Sequence, residues 1–476
     1  MSSPTFDLIA IGGGTAGLVT AAGGAGLGAK VALIERARMG GECLWNGCVP
    51  SKALIAAAKV AHLTRTASRF GVATGDVRVS MEQVRAHVAG VQATIAPHDS
   101  PERFRGLGVH VVQGSAHFVD PHTVEVDGQR LTARNIVIAT GTRPAVPPIP
   151  GLEQVHYHTN ETIFAIDALP TTLLVVGGGP IGTELAQAFA RLGSTVHVIE
   201  ALPTFFAKED AEVAERLHVQ LEGEGIVVHL GTQATRVRQD GGRTILTLKG
   251  EDGEERELAG DALLLAVGRS PNVADLRLDA VGVKTDRGGV ITDAKLRTNV
   301  DGIFAVGDIV SGGLKFTHVA DHMARAVLRN ALFPGSSAVS YDAVPWVTFT
   351  DPELARVGLT EQEARDRHGS GVGVWRREIG AVDRVIADGG PPGLVKIVTD
   401  AKGKVIGGHI LGPHAGDMIG ELTIALKLGL TVGQLGGVIH PYPTTAESIK
   451  QASEQRIKAT FTGWKKSLVK RLVNRV

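Results

Sequence analysis

Phe6-Asp-Leu-Ile-Ala-Ile-Gly12-Gly-Gly14-Thr-Ala-Gly17 opens the chain, and Val31-Ala-Leu-Ile-Glu35 follows it closely. An apolar run ends in glycines at G-x-G-x-x-G spacing, a small-residue stretch of helical length follows, and a second apolar run ends in an acid. Each part has a physical use. Gly12 permits a tight turn, Gly14 lets a pyrophosphate approach the backbone, and Gly17 packs helix on strand. The helix N-terminal amides then attract phosphate, and Glu35 accepts from ribose hydroxyls. The pattern returns as Leu173-Leu-Val-Val-Gly177-Gly-Gly179-Pro-Ile-Gly182, with Thr195-Val-His-Val-Ile-Glu200 behind it. From first glycine to final glutamate the interval is 23 residues in both copies. Two βαβ dinucleotide folds are expected, and with them two dinucleotides.

The chain has 476 residues, enough for several domains. It carries 49 basic and 49 acidic residues, so no net charge draws it to nucleic acid. No long apolar run or basic leader is evident, which points to the cytosol. The stretch Pro144-Ala-Val-Pro-Pro-Ile-Pro-Gly151 reads as a stiff linker. Further apolar strands end in glycine at Gly141, Gly268 and Gly307. From about residue 344 the pattern becomes mixed, with long helices beginning near Gly416 and Thr445.

Only two cysteines exist, in Gly41-Glu-Cys43-Leu-Trp-Asn-Gly-Cys48-Val-Pro-Ser-Lys52. So close a pair in a cytosolic chain reads as redox or metal chemistry. Zinc would need two further ligands, and the offset is not a usual zinc spacing, so no metal is assigned. Helical residues after Pro50 place Cys48 before a helix N-terminus, where amides and Lys52 favour a thiolate. Cys43, on the glycine-flanked side, is the thiol expected to exchange with substrate.

In these motifs, and in Ala139-Thr140-Gly141, Val267-Gly268-Arg269-Ser-Pro-Asn272 and Gly307-Asp308, the chain resembles the class I pyridine nucleotide–disulfide oxidoreductases. That family includes dihydrolipoamide dehydrogenase, glutathione reductase and mercuric reductase. The resemblance implies an α/β fold with two Rossmann-like domains, for FAD and NAD(P), plus a C-terminal α+β dimerisation domain. It places an FAD domain over 1–150 with a return segment at 271–344, an NAD(P) domain over 151–270, a dimerisation domain over 345–454 and a basic tail over 455–476. FAD is expected on Gly12, Gly14, Gly17, Glu35, Lys52, Thr140, Gly141 and Asp308, with Gly268 near the cofactors. Lys52 and Glu184 match an ion pair beside the flavin. A nicotinamide dinucleotide is expected on Gly177, Gly179, Gly182 and Glu200. Glu200 ends its strand without a following arginine, which favours NAD(H) over NADP(H) despite Lys208 nearby.

Two places depart from the family. Lipoamide and glutathione reductases end in His-x-His-Pro-Thr, whose second histidine serves the partner subunit as a base. Here the stretch is His440-Pro-Tyr442-Pro-Thr444-Thr-Ala-Glu447, with tyrosine at the base position. An ordinary phenol is a poor base at neutral pH. Either His440 serves instead, or the substrate needs no base. Mercuric reductases also carry tyrosine there, but they end in a cysteine pair this chain lacks. The second departure is Trp45, where relatives have asparagine; it reads equally as packing or as a wall shaping access to the dithiol. His318 and His322 read as packing residues. The basic tail, with Trp464, Lys465, Lys466, Lys470, Arg471 and Arg475, reads as a solvated end on the dimer, with peripheral membrane or protein docking as the alternative. The leading expectation is a homodimeric, dihydrolipoamide dehydrogenase-like enzyme. Mercuric reduction, flavin-only quinone reduction and a non-enzymatic redox sensor are the alternatives.

Overall fold

The computed structural model describes residues 5–461 and 463–473, without the side chains of Trp464 and Lys465; Arg475 of the tail lies outside the described residues. An apolar run that does not alternate suits a strand covered on both faces. Phe6–Ile11 is such a strand, with Leu8, Ile9 and Ala10 fully buried. It lies parallel between Val31–Glu35 and Gln129–Ile138. His110–Gln113 extends the sheet beyond Val31–Glu35, and Ile303–Ala305 joins Gln129–Ile138 in parallel. The chain thus returns to its first sheet close to Asp308.

The second copy repeats the arrangement. Thr172–Val176 pairs in parallel with Thr195–Ile199 and Ala262–Leu265. An antiparallel meander of Gln233–Asp240, Arg243–Lys249 and Glu255–Gly260 packs Leu246 and Leu248 against Leu174 and Leu263. The short pair Thr142–Pro144 and Arg269–Pro271 runs antiparallel where the chain passes between the two copies.

Contacts group the chain into two compact units, 1–199 with 233–340 and 200–232 with 341–476. The second unit has a five-stranded antiparallel sheet, ordered Pro345–Thr348, Glu353–Gly358, Val405–Gly412, Leu394–Thr399, Gly373–Glu378. Helices Ala415–Leu428 and Glu447–Thr460 supply Leu422, Ile449 and Ala452 to its core. Charge is one of the ties that hold segment 200–232 in this unit. Lys396, on a central strand and 3% exposed at its side chain, meets Asp210 and Glu361 at 2.8 Å and Glu212 at 3.1 Å. Burial pulls the Lys396 ammonium down, but these carboxylates hold it above its ordinary value. The sequence-based 151–270 division and the observed grouping therefore differ over 200–232.

Candidate active site

A five-residue helix, Gly41–Trp45, carries Cys43, and Cys48 is itself the first residue of the helix Cys48–Arg65. That start lies two residues before Pro50, nearer the thiol than expected, so Cys48 sits on the helix N-terminus. Both cysteines are free thiols, Cys43 half-buried and Cys48 exposed. Exposure therefore does not single out Cys43 as the exchanging thiol; ionisation separates the two. Cys43 donates to Cys48, and that bond, with burial, pushes the Cys43 thiol up. The same bond lowers Cys48 to about 6, against burial, with help from Thr317 and Lys52 and opposition from Glu184. Thr317 Oγ1 lies 3.5 Å from Cys48 Sγ, at the first residue of the helix Thr317–Leu332. The result is one thiolate and one retained proton, the division that dithiol exchange requires.

One turn along, Lys52 Nζ donates to Glu184 Oε2 at 2.8 Å, with the Glu184 side chain 7% exposed. The two residues are 132 positions apart. The ion pair expected from the motifs is formed, beside the thiolate whose charge both residues influence.

The cofactor cradles fit dinucleotides. Gly12 and Gly177 have φ of +115° and +109°, and a Cβ on either would strike the carbonyl of Ala139 or Ala266. A Cβ on Gly17 or Gly182 would strike the carbonyl of Gly12 or Gly177. No side chain caps the helices Thr15–Gly26 and Pro180–Leu192, so both N-termini keep their anion-binding character. Glu35 accepts from the Gly13 and Ala37 amides, which fixes its carboxylate at the turn. Thr140 and Asn272 exchange hydrogen bonds of 2.9 Å beside Gly141. Burial raises Asp308, with Arg269 opposing and Glu42 adding to the rise. Glu200 accepts from the Leu202 amide at 2.9 Å. Bound there, FAD supplies a two-electron carrier between nicotinamide and dithiol.

Sequence reasoning missed the residues that hold the Cys43 helix. Glu42 takes a bidentate contact from Arg269 and a 2.6 Å bond from Asn160, whose amide also donates to Asn46 O. Gln92 donates to Leu44 O and Trp45 O at the helix end. Trp45 donates to Met39 O at 2.8 Å and lies 4.0 Å beneath the Arg38 guanidinium. These contacts tie its ring into the local packing. His318 stacks on Phe316, but it and His322 are both exposed rather than packed into the core.

The C-terminal candidates, all in the second unit, are arranged differently. His440 has a nearly buried side chain, with Nε2 3.0 Å from Glu421 and Nδ1 3.2 Å from Val438 O. Both ring nitrogens are thus engaged by neighbouring oxygens. Tyr442 is 70% exposed and donates to Asp383 at 2.9 Å. That bond raises its phenol, and Glu447 adds to the rise.

Two dinucleotide cradles with a dithiol at a helix N-terminus define a flavoprotein disulfide reductase. The chain belongs to the pyridine nucleotide-disulphide oxidoreductases, whose family model matches residues 6–324, with the family's dimerisation domain over 344–453. It is 37% identical to a dihydrolipoyl dehydrogenase of Thermus scotoductus, over 94% of this chain and 97% of that one. It is 38% identical to a mercuric reductase of Streptomyces lividans, over 96% of each. A Cu(II) complex of the HOCl-induced flavoprotein disulfide reductase RclA from Escherichia coli matches with TM-score 0.86 and 28% identity, over 95% of this chain and 100% of that one. The protein is thus an FAD- and pyridine nucleotide-using disulfide oxidoreductase, and its dimerisation domain marks it as a homodimer. Among the described residues no helix is long and apolar enough to cross a membrane.

Proposed function

We propose that the enzyme links NAD(H) to a small dithiol or disulfide of the lipoyl type through Cys43 and Cys48. The observation that carries this reading is the split ionisation of the pair, one thiolate lowered to about 6 and one thiol pushed up. In this reading Cys43 forms and breaks the mixed disulfide with substrate, and Cys48, held by Thr317, is the flavin-side thiolate. Lys52, paired with Glu184, orients the flavin. Residues 1–150 and 271–344 form the FAD domain, 151–270 the NAD(H) domain and 345–454 the dimerisation domain. Glu200 selects a free ribose hydroxyl, since a 2′-phosphate would meet like charge. The kcat/KM for NADH is expected to exceed that for NADPH; the reverse order overturns that assignment.

A second reading is favoured by the C-terminal stretch. His440 is held against Glu421 and the Tyr442 phenol is raised by Asp383, which weakens the case for a base there, and a soft metal ion bound by thiolates needs none. Relatives named mercuric reductase and the copper-bound RclA structure agree with it. A panel of dihydrolipoamide, lipoamide, glutathione disulfide, Hg(II) with excess thiol, Cu(II) and quinones separates the readings. Turnover of lipoyl substrates that disappears in Cys43→Ser supports the first. Metal turnover alone supports the second, and turnover of quinones alone, unchanged in Cys43→Ser, overturns both.

A further inference from the structure

We infer that Glu42 is a positioning residue that sets the thiol–disulfide equilibrium of Cys43–Cys48 through its ion pair with Arg269. The Gly41–Trp45 helix is only five residues long, far too short to be stable alone, so its position is imposed by outside contacts. The strongest of these falls on the residue directly before Cys43. Arg269 Nη1 donates to Glu42 Oε1 at 2.6 Å and Nη2 donates to Oε2, while Asn160 adds a third bond at 2.6 Å. Arg269 is itself fixed, because its Nε donates to Thr142 Oγ1 at 2.6 Å and its Nη2 to Thr142 O at 3.1 Å. Its side chain is 14% exposed, so water weakens the pair little.

Arg269 Nε also lies 3.9 Å from Asp308 Oδ2. One guanidinium thus joins the dithiol helix to the carboxylate expected at the flavin's ribityl–pyrophosphate region. The link rests on the FAD assignment only at its Asp308 end; its effect on the dithiol does not depend on which substrate is used.

The consequence has a sign. In Cys43–Cys48 disulfide + 2 glutathione ⇌ dithiol + glutathione disulfide, two electrons and two protons reach the cysteines as two glutathione thiols are oxidised. Removing Glu42 frees the helix that holds Cys43 in reach of Cys48. Looser placement of Cys43 weakens ring closure, so the equilibrium moves towards the dithiol.

The test is equilibration of purified holoenzyme in glutathione buffers of graded ratio, with acid quench and mass-tag counting of free thiols. Glu42→Ala is expected to shift the equilibrium about tenfold towards dithiol, or ~30 mV for two electrons. Arg269→Lys, which keeps the charge but loses the bidentate geometry, is expected to shift it the same way by less. Glu42→Gln keeps the side-chain shape and covers the case in which Glu42→Ala fails to fold. Shifts under about twofold in both folded variants, or a shift towards disulfide, overturn the proposal. A purely structural residue would lower Tm and leave this equilibrium unmoved. Failure of the lipoyl assignment would change the substrate panel and not this result.

Discussion

The Cys43–Cys48 segment and the 440–447 stretch both hold residues that the family motifs mark as chemical, yet they are organised in opposite ways. Around the dithiol, Thr317, Lys52 and Cys43 all act on Cys48, and Glu184 pairs with Lys52. In the C-terminal stretch each candidate is turned to a separate carboxylate, His440 to Glu421 and Tyr442 to Asp383. The groups around the dithiol converge on one sulfur, whereas those of the C-terminal stretch do not converge on a common atom.

The largest effect that sharpens this contrast is expected from Cys43→Ser. Turnover of disulfide substrates should fall about a thousandfold or more, while NADH still bleaches the flavin in stopped flow. Lys52→Met removes the partner of a 7%-exposed carboxylate and is expected to slow flavin reduction by roughly 10–100-fold. An unchanged rate would reduce the pair to a structural contact. His440→Gln and Tyr442→Phe should each change kcat by less than about threefold. A tenfold loss in Tyr442→Phe, together with loss of a limb of the pH–rate profile, would break the contrast by making the phenol a proton carrier. The smallest effect concerns the thiolate. Ultraviolet absorbance of the reduced enzyme should report thiolate forming as pH rises through about 6, and Thr317→Val should move that midpoint upward.

Acid offers an independent comparison within the second unit. His409 is wholly buried, with Nε2 3.0 Å from Leu359 O, and burial lowers it to about 4. The folded state therefore binds fewer protons than the unfolded chain between about 6.5 and about 4. Stability is full above that window and is lost as pH falls through it, by on the order of 3 kcal/mol. His409→Gln should flatten the pH dependence of Tm across the same window.

Much of the redox half was legible in the sequence because its signals are local. Glycines at fixed offsets, a strand-ending glutamate and cysteines beside Lys52 announce a turn, a ribose contact and a thiolate without reference to distant parts of the chain. Glu184 was reached only through the family motif, since its partner lies 132 residues away. Arg269 lay inside a family motif, but nothing local linked it or Asn160 to Glu42, whose partners lie 118 and 227 positions distant. Lys396 likewise drew no reading from sequence, because the charges that bury it come from segment 200–232 and from Glu361. The identity of the C-terminal residues was plain from sequence, but their partners, Glu421 and Asp383, were not.

That Lys396 cluster bears on how the polypeptide can be cut and rebuilt. The chain leaves its first unit at 199, returns at 233 and leaves again at 340, so no single break separates two self-sufficient halves. A gene fragment beginning at 341 would lack Asp210 and Glu212 and would bury an ammonium with only Glu361 as its direct carboxylate partner. Truncations at the family-model boundary should therefore yield insoluble product, and domain exchange with a relative must carry 200–232 together with the C-terminal unit.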